Sequence, residues 1–122
     1  MNKKIFICDD DSNIVDMLAM VLREFTDATV LTETDSRKAL SRLIEECPDI
    51  FIVDLSMPLL SGDQLIKEVR NNVLLNKILI ICMSAKLDAK EIAIEAGANI
   101  YLPKPFDIND MISAVSKNSN NG

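Results

Sequence analysis

Apolar runs and amphipathic stretches alternate along the 122 residues of the chain. Lys4–Cys8, Thr29–Thr32, Ile50–Asp54, Ile78–Met83 and Ile100–Leu102 read as strands. Helical patterns follow each of them, at Ser12–Phe25, Ser36–Glu46, Gly62–Asn71, Ala89–Ala96 and Ile108–Lys117. In the first of these, Ile14, Val15, Leu18, Val21, Leu22 and Phe25 recur at helical spacing and make one apolar face. The fourth is framed by Asp88 as N-cap with Glu91 three residues later, and by Gly97, a residue suited to a left-handed helix end. The first, third and fourth strands are continuously apolar, which is the pattern of a parallel sheet covered by helices on both faces. Five βα units therefore predict one doubly wound α/β domain with right-handed crossovers. The alternation alone leaves the order of the strands open.

Bulk composition narrows the class. Hydrophobic residues make up 48% and charged residues 26% of the chain, the balance of a globular domain. No apolar run approaches the length of a bilayer span, and the segment after Met1–Lys4 is too short for a signal peptide, so the cytoplasm is the expected compartment and no membrane is involved. A formal net charge of −6 argues against nucleic-acid binding by this domain. The absence of histidine excludes histidine-dependent nucleophilic catalysis, imidazole zinc ligation and a role as phosphohistidine carrier. Cys8, Cys47 and Cys82 lack metal or redox spacing, and Cys8 and Cys82 fall in apolar strands as small core residues. From Ser116 the sequence turns small and polar; residues 1–117 are expected to form the domain and 118–122 a tail or linker.

The candidate chemistry lies where apolar runs stop. The stretch "IFICDDDSN" ends a buried strand in Asp9, Asp10 and Asp11. Two carboxylates about 4 Å apart repel by roughly 4 kcal/mol at an effective dielectric near 20, a large share of a small domain's stability. In open α/β sheets ligands bind at the carboxyl ends of the strands. The residues expected there are Asp9 and Asp10 after the first strand, Asp54 after the third, Ser84 after the fourth and Lys104 after the fifth. Each has an ordinary reading: an aspartate as helix cap, above all Asp11; Asp54 as a turn residue; Ser84 in a local backbone bond; Lys104 on the surface. Together these readings leave the repulsion unexplained, whereas a hard divalent cation such as Mg²⁺ accounts for it. A cation beside a carboxylate, an ammonium and a hydroxyl suits phosphoryl transfer, with Asp54 as nucleophile. No glycine-rich nucleotide loop is present, so the donor is not expected to be a nucleotide bound by this chain.

The pieces "CDDD" after the first strand, "DLSMPLLSG" at Asp54–Gly62, "MSA" around Ser84 and "GANIYLPKPF" at Gly97–Phe106 resemble, in order and spacing, the receiver domain of bacterial two-component response regulators. The resemblance covers nearly the whole chain. It implies a flavodoxin-like (βα)5 fold with a five-stranded parallel sheet of order 2-1-3-4-5. It also implies roles: Asp54 as phospho-acceptor; Asp9, Asp10 and Asp54 as ligands of Mg²⁺ or Mn²⁺ with the backbone carbonyl of Ser56; Ser84 as switch hydroxyl; Tyr101 as switch aromatic; Lys104 as the ammonium that pairs with phosphoryl oxygens. A cis peptide at Lys104–Pro105 is implied as well. Taken alone, Tyr101 reads as an ordinary half-buried strand aromatic.

The expected function is a phosphorylation-activated switch of a two-component phosphorelay, not an enzyme acting on external substrates. A sensor histidine kinase or phosphotransfer protein would supply the phosphoryl group. The surface of the fourth helix, fifth strand and fifth helix would change, and address a downstream protein, an output domain of the same protein, or a second copy in a homodimer. Rival readings are a constitutive binding module of the same fold, which the restraint of Pro103 favours, and a small phosphohydrolase, for which the loops offer no substrate cap.

Overall fold

A computed structural model describes residues 3–119, with side chains through Lys117. Ten elements alternate: β1 (Lys4–Cys8), α1 (Ser12–Phe25), β2 (Thr29–Glu33), α2 (Ser36–Glu46), β3 (Ile50–Asp54), α3 (Gly62–Arg70), β4 (Leu79–Ser84), α4 (Ala89–Ala96), β5 (Ile100–Pro103) and α5 (Ile108–Ser119). They form one parallel sheet in the order β2-β1-β3-β4-β5, as the resemblance implies. Element bounds agree with the sequence pattern to within two residues. α5 runs to Ser119, and the rest of the expected tail, residues 120–122, lies outside the described residues. Among the described residues no helix is long and apolar enough to cross a membrane.

The continuously apolar strands feed two cores at once, because successive side chains point to opposite faces of the sheet. Ile5, Ile7, Ile50, Ile52, Ile81 and Met83 pack with Val15, Leu18 and Leu22 of α1 and Met111 and Val115 of α5. Phe6, Cys8, Phe51, Val53, Ile80 and Cys82 pack on the other side with α2, α3 and α4. Phe6 and Phe51 meet edge to face with ring centroids 6.0 Å apart. A sheet buried on both faces has one kind of place left for polar side chains, the strand ends.

Helix termini are set by local chemistry. The Asp11 carboxylate accepts from the Asn13 backbone N–H at 3.0 Å and caps α1. Asp35 does the same for α2 through Arg37. Asp88 stands at the N-cap of α4 as expected, yet its side chain makes no cap hydrogen bond. Gly97 ends α4 at φ 123°, a conformation open to glycine and strained for other residues.

Burial pushes the Cys8 and Cys82 thiols up to about 12, with nearby carboxylates adding to the effect. Both thiols therefore stay protonated and unreactive throughout the neutral range, whereas Cys47 is exposed. A thiol titration at pH 8 is expected to modify Cys47 alone in the native protein and all three cysteines in denaturant. Equal reactivity of all three in the native state would contradict the packing.

Candidate functional site

β1 and β3 are neighbours in the sheet with Cys8 opposite Val53, so the next residue of each strand run, Asp9 and Asp54, emerges at the same edge. Both are buried, 1% and 4% exposed. Lys104, on the loop after β5, reaches across the edge and places its Nζ 2.8 Å from Asp9 Oδ2 and 2.9 Å from Asp54 Oδ1. The second oxygen of Asp9 accepts from the Asp11 N–H at 2.9 Å. Asp10 is exposed at the mouth of the site. The backbone N–H of Lys104 donates to the Ser84 carbonyl at 2.7 Å, and Lys104–Pro105 is a cis peptide.

The electrostatics follow from this geometry. Burial raises the pKa of Asp54; the Lys104 hydrogen bond opposes that rise, and the charges of Asp9 and Asp10 reinforce it. Burial acts to lower the pKa of Lys104, but its hydrogen bonds to Asp9 and Asp54 outweigh burial and the pKa is raised. The ammonium is charged at every physiological pH and neutralises one of three clustered carboxylates.

Asp9, Asp10 and Asp54 each offer an oxygen, and these oxygens lie within 4.8 Å of one another. A donor set made wholly of carboxylate oxygen, open to water through Asp10, fits a small hard cation such as Mg²⁺, which keeps part of its water shell. Ser56 is exposed on the loop after β3 and lines a cleft of about 430 Å³ together with Asp63, Lys86 and Ile92. Ser84 is fully buried at the end of β4, where its Oγ accepts from the Lys86 N–H at 3.0 Å. Ser84 thus makes the local backbone bond. Tyr101 is half-buried, its hydroxyl 3.4 Å from the carbonyl oxygens of both Ser84 and Lys86. Asp9, Asp10, Asp54, Ser84 and Lys104 thus gather at the carboxyl ends of the strands, while Tyr101 lies within β5 opposite Cys82.

Two features had escaped the reading of the sequence. Lys104 is paired with both Asp9 and Asp54, an arrangement that only the folded register of distant strands creates. Gly62, the first residue of α3, donates its N–H to the Leu55 carbonyl at 2.8 Å. A Cβ there would stand 2.7 Å from the Leu55 Cα and collide with the Asp54 carbonyl oxygen. Glycine in the first turn of a helix was the available signal, since other residues favour helix more strongly.

The sequence profile of the response regulator receiver domain matches residues 5–116, and the chain belongs to that family. It is 33% identical over 122 residues to the alkaline phosphatase synthesis transcriptional regulatory protein PhoP of Bacillus subtilis (strain 168), covering 98% of this chain and 50% of that protein. It is 31% identical to the DNA-binding transcriptional regulator NtrC of Salmonella typhimurium, covering 93% of this chain and 24% of the relative. The chain therefore spans half or less of the length of these two relatives. Among solved structures, a response regulator receiver domain protein from Clostridium thermocellum superposes with a TM-score of 0.86 at 30% identity, over 97% of this chain and 94% of that one.

Two outcomes test the geometry. Gly62→Ala is expected to destabilise the fold by about 1–3 kcal/mol through overpacking, read by urea denaturation, and to shift the amide resonances of Asp54 and Leu55; an unperturbed variant would contradict the close approach. Asp54 binds its proton more tightly in the folded than in the unfolded state, so its ionisation subtracts stability as pH rises from 3.8 through the raised folded value. The stability of Asp54→Asn relative to wild type should accordingly increase across that window and then level off. A difference that is flat or falls as pH rises from 3.8 would refute the raised pKa of Asp54.

Proposed function

We propose that the chain accepts a phosphoryl group from phosphohistidine onto Asp54 and acts as the switch of a two-component phosphorelay. One observation carries the reading: a buried carboxylate at the end of a central strand faces two further carboxylates and an ammonium 2.9 Å away. A carboxylate oxygen of Asp54 attacks phosphorus, the P–N bond to the donor imidazole breaks, and the imidazole leaves as the neutral base once protonated by solvent. An acyl phosphate results. Mg²⁺, or Mn²⁺, held by Asp9, Asp10, Asp54 and the Ser56 carbonyl would supply neutralising charge to the phosphoryl oxygens. Lys104 exchanges its bond to Asp54 for a charge-assisted bond to a phosphoryl oxygen. The reverse fate, attack of water on phosphorus with Asp54 as leaving group, resets the switch, so the domain catalyses only its own phosphorylation and dephosphorylation.

Readout runs through Ser84 and Tyr101. The Ser84 hydroxyl turns from the Lys86 N–H to the phosphoryl group, which draws in the loop that the Tyr101 hydroxyl touches at two carbonyls. The face of α4, β5 and α5 is thereby re-weighted between two states. Partners are a sensor histidine kinase or phosphotransfer protein on the input side, and a downstream protein, an output domain or a second copy on the other. The cytoplasm is the compartment in which such a relay operates.

The test is incubation with Mg²⁺ and a small acyl phosphate, followed by intact mass. A single hydroxylamine-sensitive phosphoryl adduct is expected in wild type and none in Asp54→Asn; Mg²⁺ should raise the melting temperature of wild type, and less so that of Asp10→Asn. An adduct mapped to Asp9 or Asp10, or metal affinity unchanged in Asp10→Asn, would overturn the assignment. Absence of any adduct would favour a constitutive binding module.

A further inference from the structure

α4 is attached to the domain unequally at its two ends. At the carboxyl end, Arg70, the last residue of α3, donates to the carbonyls of Gly97 (2.9 Å), Asn76 (3.0 Å) and Ile78 (2.7 Å) and to Oδ1 of Asn99 (2.7 Å). Asn99 Oδ1 also accepts from the Ile80 N–H at 2.8 Å, and the Asn99 N–H donates back to the Ile80 carbonyl at 2.9 Å. The aliphatic stem of Arg70 lies against bare Gly97, where a Cβ would come within 2.7 Å of Arg70 Cγ. One guanidinium thus ties the turn after α4 to the end of α3 and the start of β4, with charge-assisted bonds roughly twice as strong as neutral ones.

Among the described residues the amino end shows no such fastening. Asp88 makes no cap bond, and the preceding Leu87 is 99% exposed. Along its length α4 buries only Ala89, Ala93 and Ala96. Single methyl groups interlock with a neighbouring surface far less than branched side chains, so an alanine-lined helix meets little steric resistance to tilting. The free end adjoins the loop held by Ser84 Oγ and Tyr101.

We propose that Arg70 is a positioning residue that makes α4 a lever: the helix pivots at Gly97–Asn99, and rearrangement of the Ser84–Lys86 loop swings its amino-terminal turn. From Ala89 to Ala96 the arm is about 10 Å long, so a tilt of about 10° displaces the free end by about 2 Å and the pivot hardly at all. The exposed Ile92 and Ile94 ride on that arm, which converts a local hydroxyl movement into a re-aimed apolar surface. The cause of the swing rests on the functional reading above; the pivot itself does not.

The three buried alanines are reporters spaced along the arm. Alanine-methyl NMR with and without Mg²⁺ and beryllofluoride is expected to give shift changes that fall severalfold in the order Ala89, Ala93, Ala96. Arg70→Met keeps the stem and removes the guanidinium, and should flatten the gradient by raising the response of Ala96, with the rate of adduct formation at Asp54 unchanged. Arg70→Lys, which keeps the charge and loses the fork, should lie between the two and serves if the methionine variant does not fold. A flat profile in wild type, or a gradient unchanged in the variants, overturns the lever. If no adduct or mimic complex forms, the functional reading fails, and the lever is then judged by methyl relaxation in the free protein. There a graded amplitude lost in the Arg70 variants upholds it, and a uniform amplitude overturns it.

Discussion

The ammonium of Lys104 lies 2.8 Å from Asp9 and 2.9 Å from Asp54, and the organisation of the whole sheet edge depends on that bridge. Two nearly inaccessible carboxylates on adjacent strands repel strongly where the dielectric is low, and removing one partner of a buried ion pair typically costs about 3–5 kcal/mol. Placing the cation falls to the loop after β5. Its backbone N–H is fixed on the Ser84 carbonyl, so the hydroxyl-bearing residue and the charge-bearing residue share one hydrogen bond. Lys104 is thus joined directly to the last residue of β4, with no intermediate element.

The fold supplies this arrangement because a sheet packed on both faces expels polar residues to its edges. β1 and β3 are central, their registers bring Asp9 and Asp54 out side by side, and β4 pairs with β5 so that Ser84 stands opposite Pro103. Pro103 lacks an N–H, which an edge strand tolerates at its end. Gly62 lets α3 begin within contact distance of the Asp54 backbone, closing the edge from the other side.

The continuous apolar runs made the strands and their parallel packing legible, since only burial on both faces requires them. The same runs made the site legible, because each polar residue that interrupts one at its carboxyl end had to be at the sheet edge. Strand order came from resemblance, as hydrophobic pattern carries no information about neighbours. Three features were beyond the pattern. The Lys104 bridge joins residues 95 apart in sequence. The missing cap bond at Asp88 depends on the backbone, whose ψ of 25° departs from the extended form seen at Asp11 and Asp35. The role of Arg70 depends on three backbone carbonyls and one amide side chain converging on it, and backbone acceptors leave no trace in residue identity.

Charge balance links the site to the amino end of α4. Asp9, Asp10 and Asp54 against Lys104 leave two uncompensated negative charges, the amount one divalent cation neutralises. Under the proposed reading, an acyl phosphate on Asp54 replaces one negative charge by close to two, so a site balanced by the cation becomes anionic again. Lys104 is already present and already charged, so it can redirect its bonds but adds nothing to the total. Further stabilisation has to come from dipoles not yet engaged with the site, and among the residues placed here Ser84 is the one whose hydroxyl is occupied by a single local backbone bond. Recruiting that hydroxyl costs the Lys86 N–H its partner and disturbs the loop leading to α4. The electrostatic demand is thus met beside a helix end that rests on alanine and whose N-cap aspartate makes no side-chain cap bond.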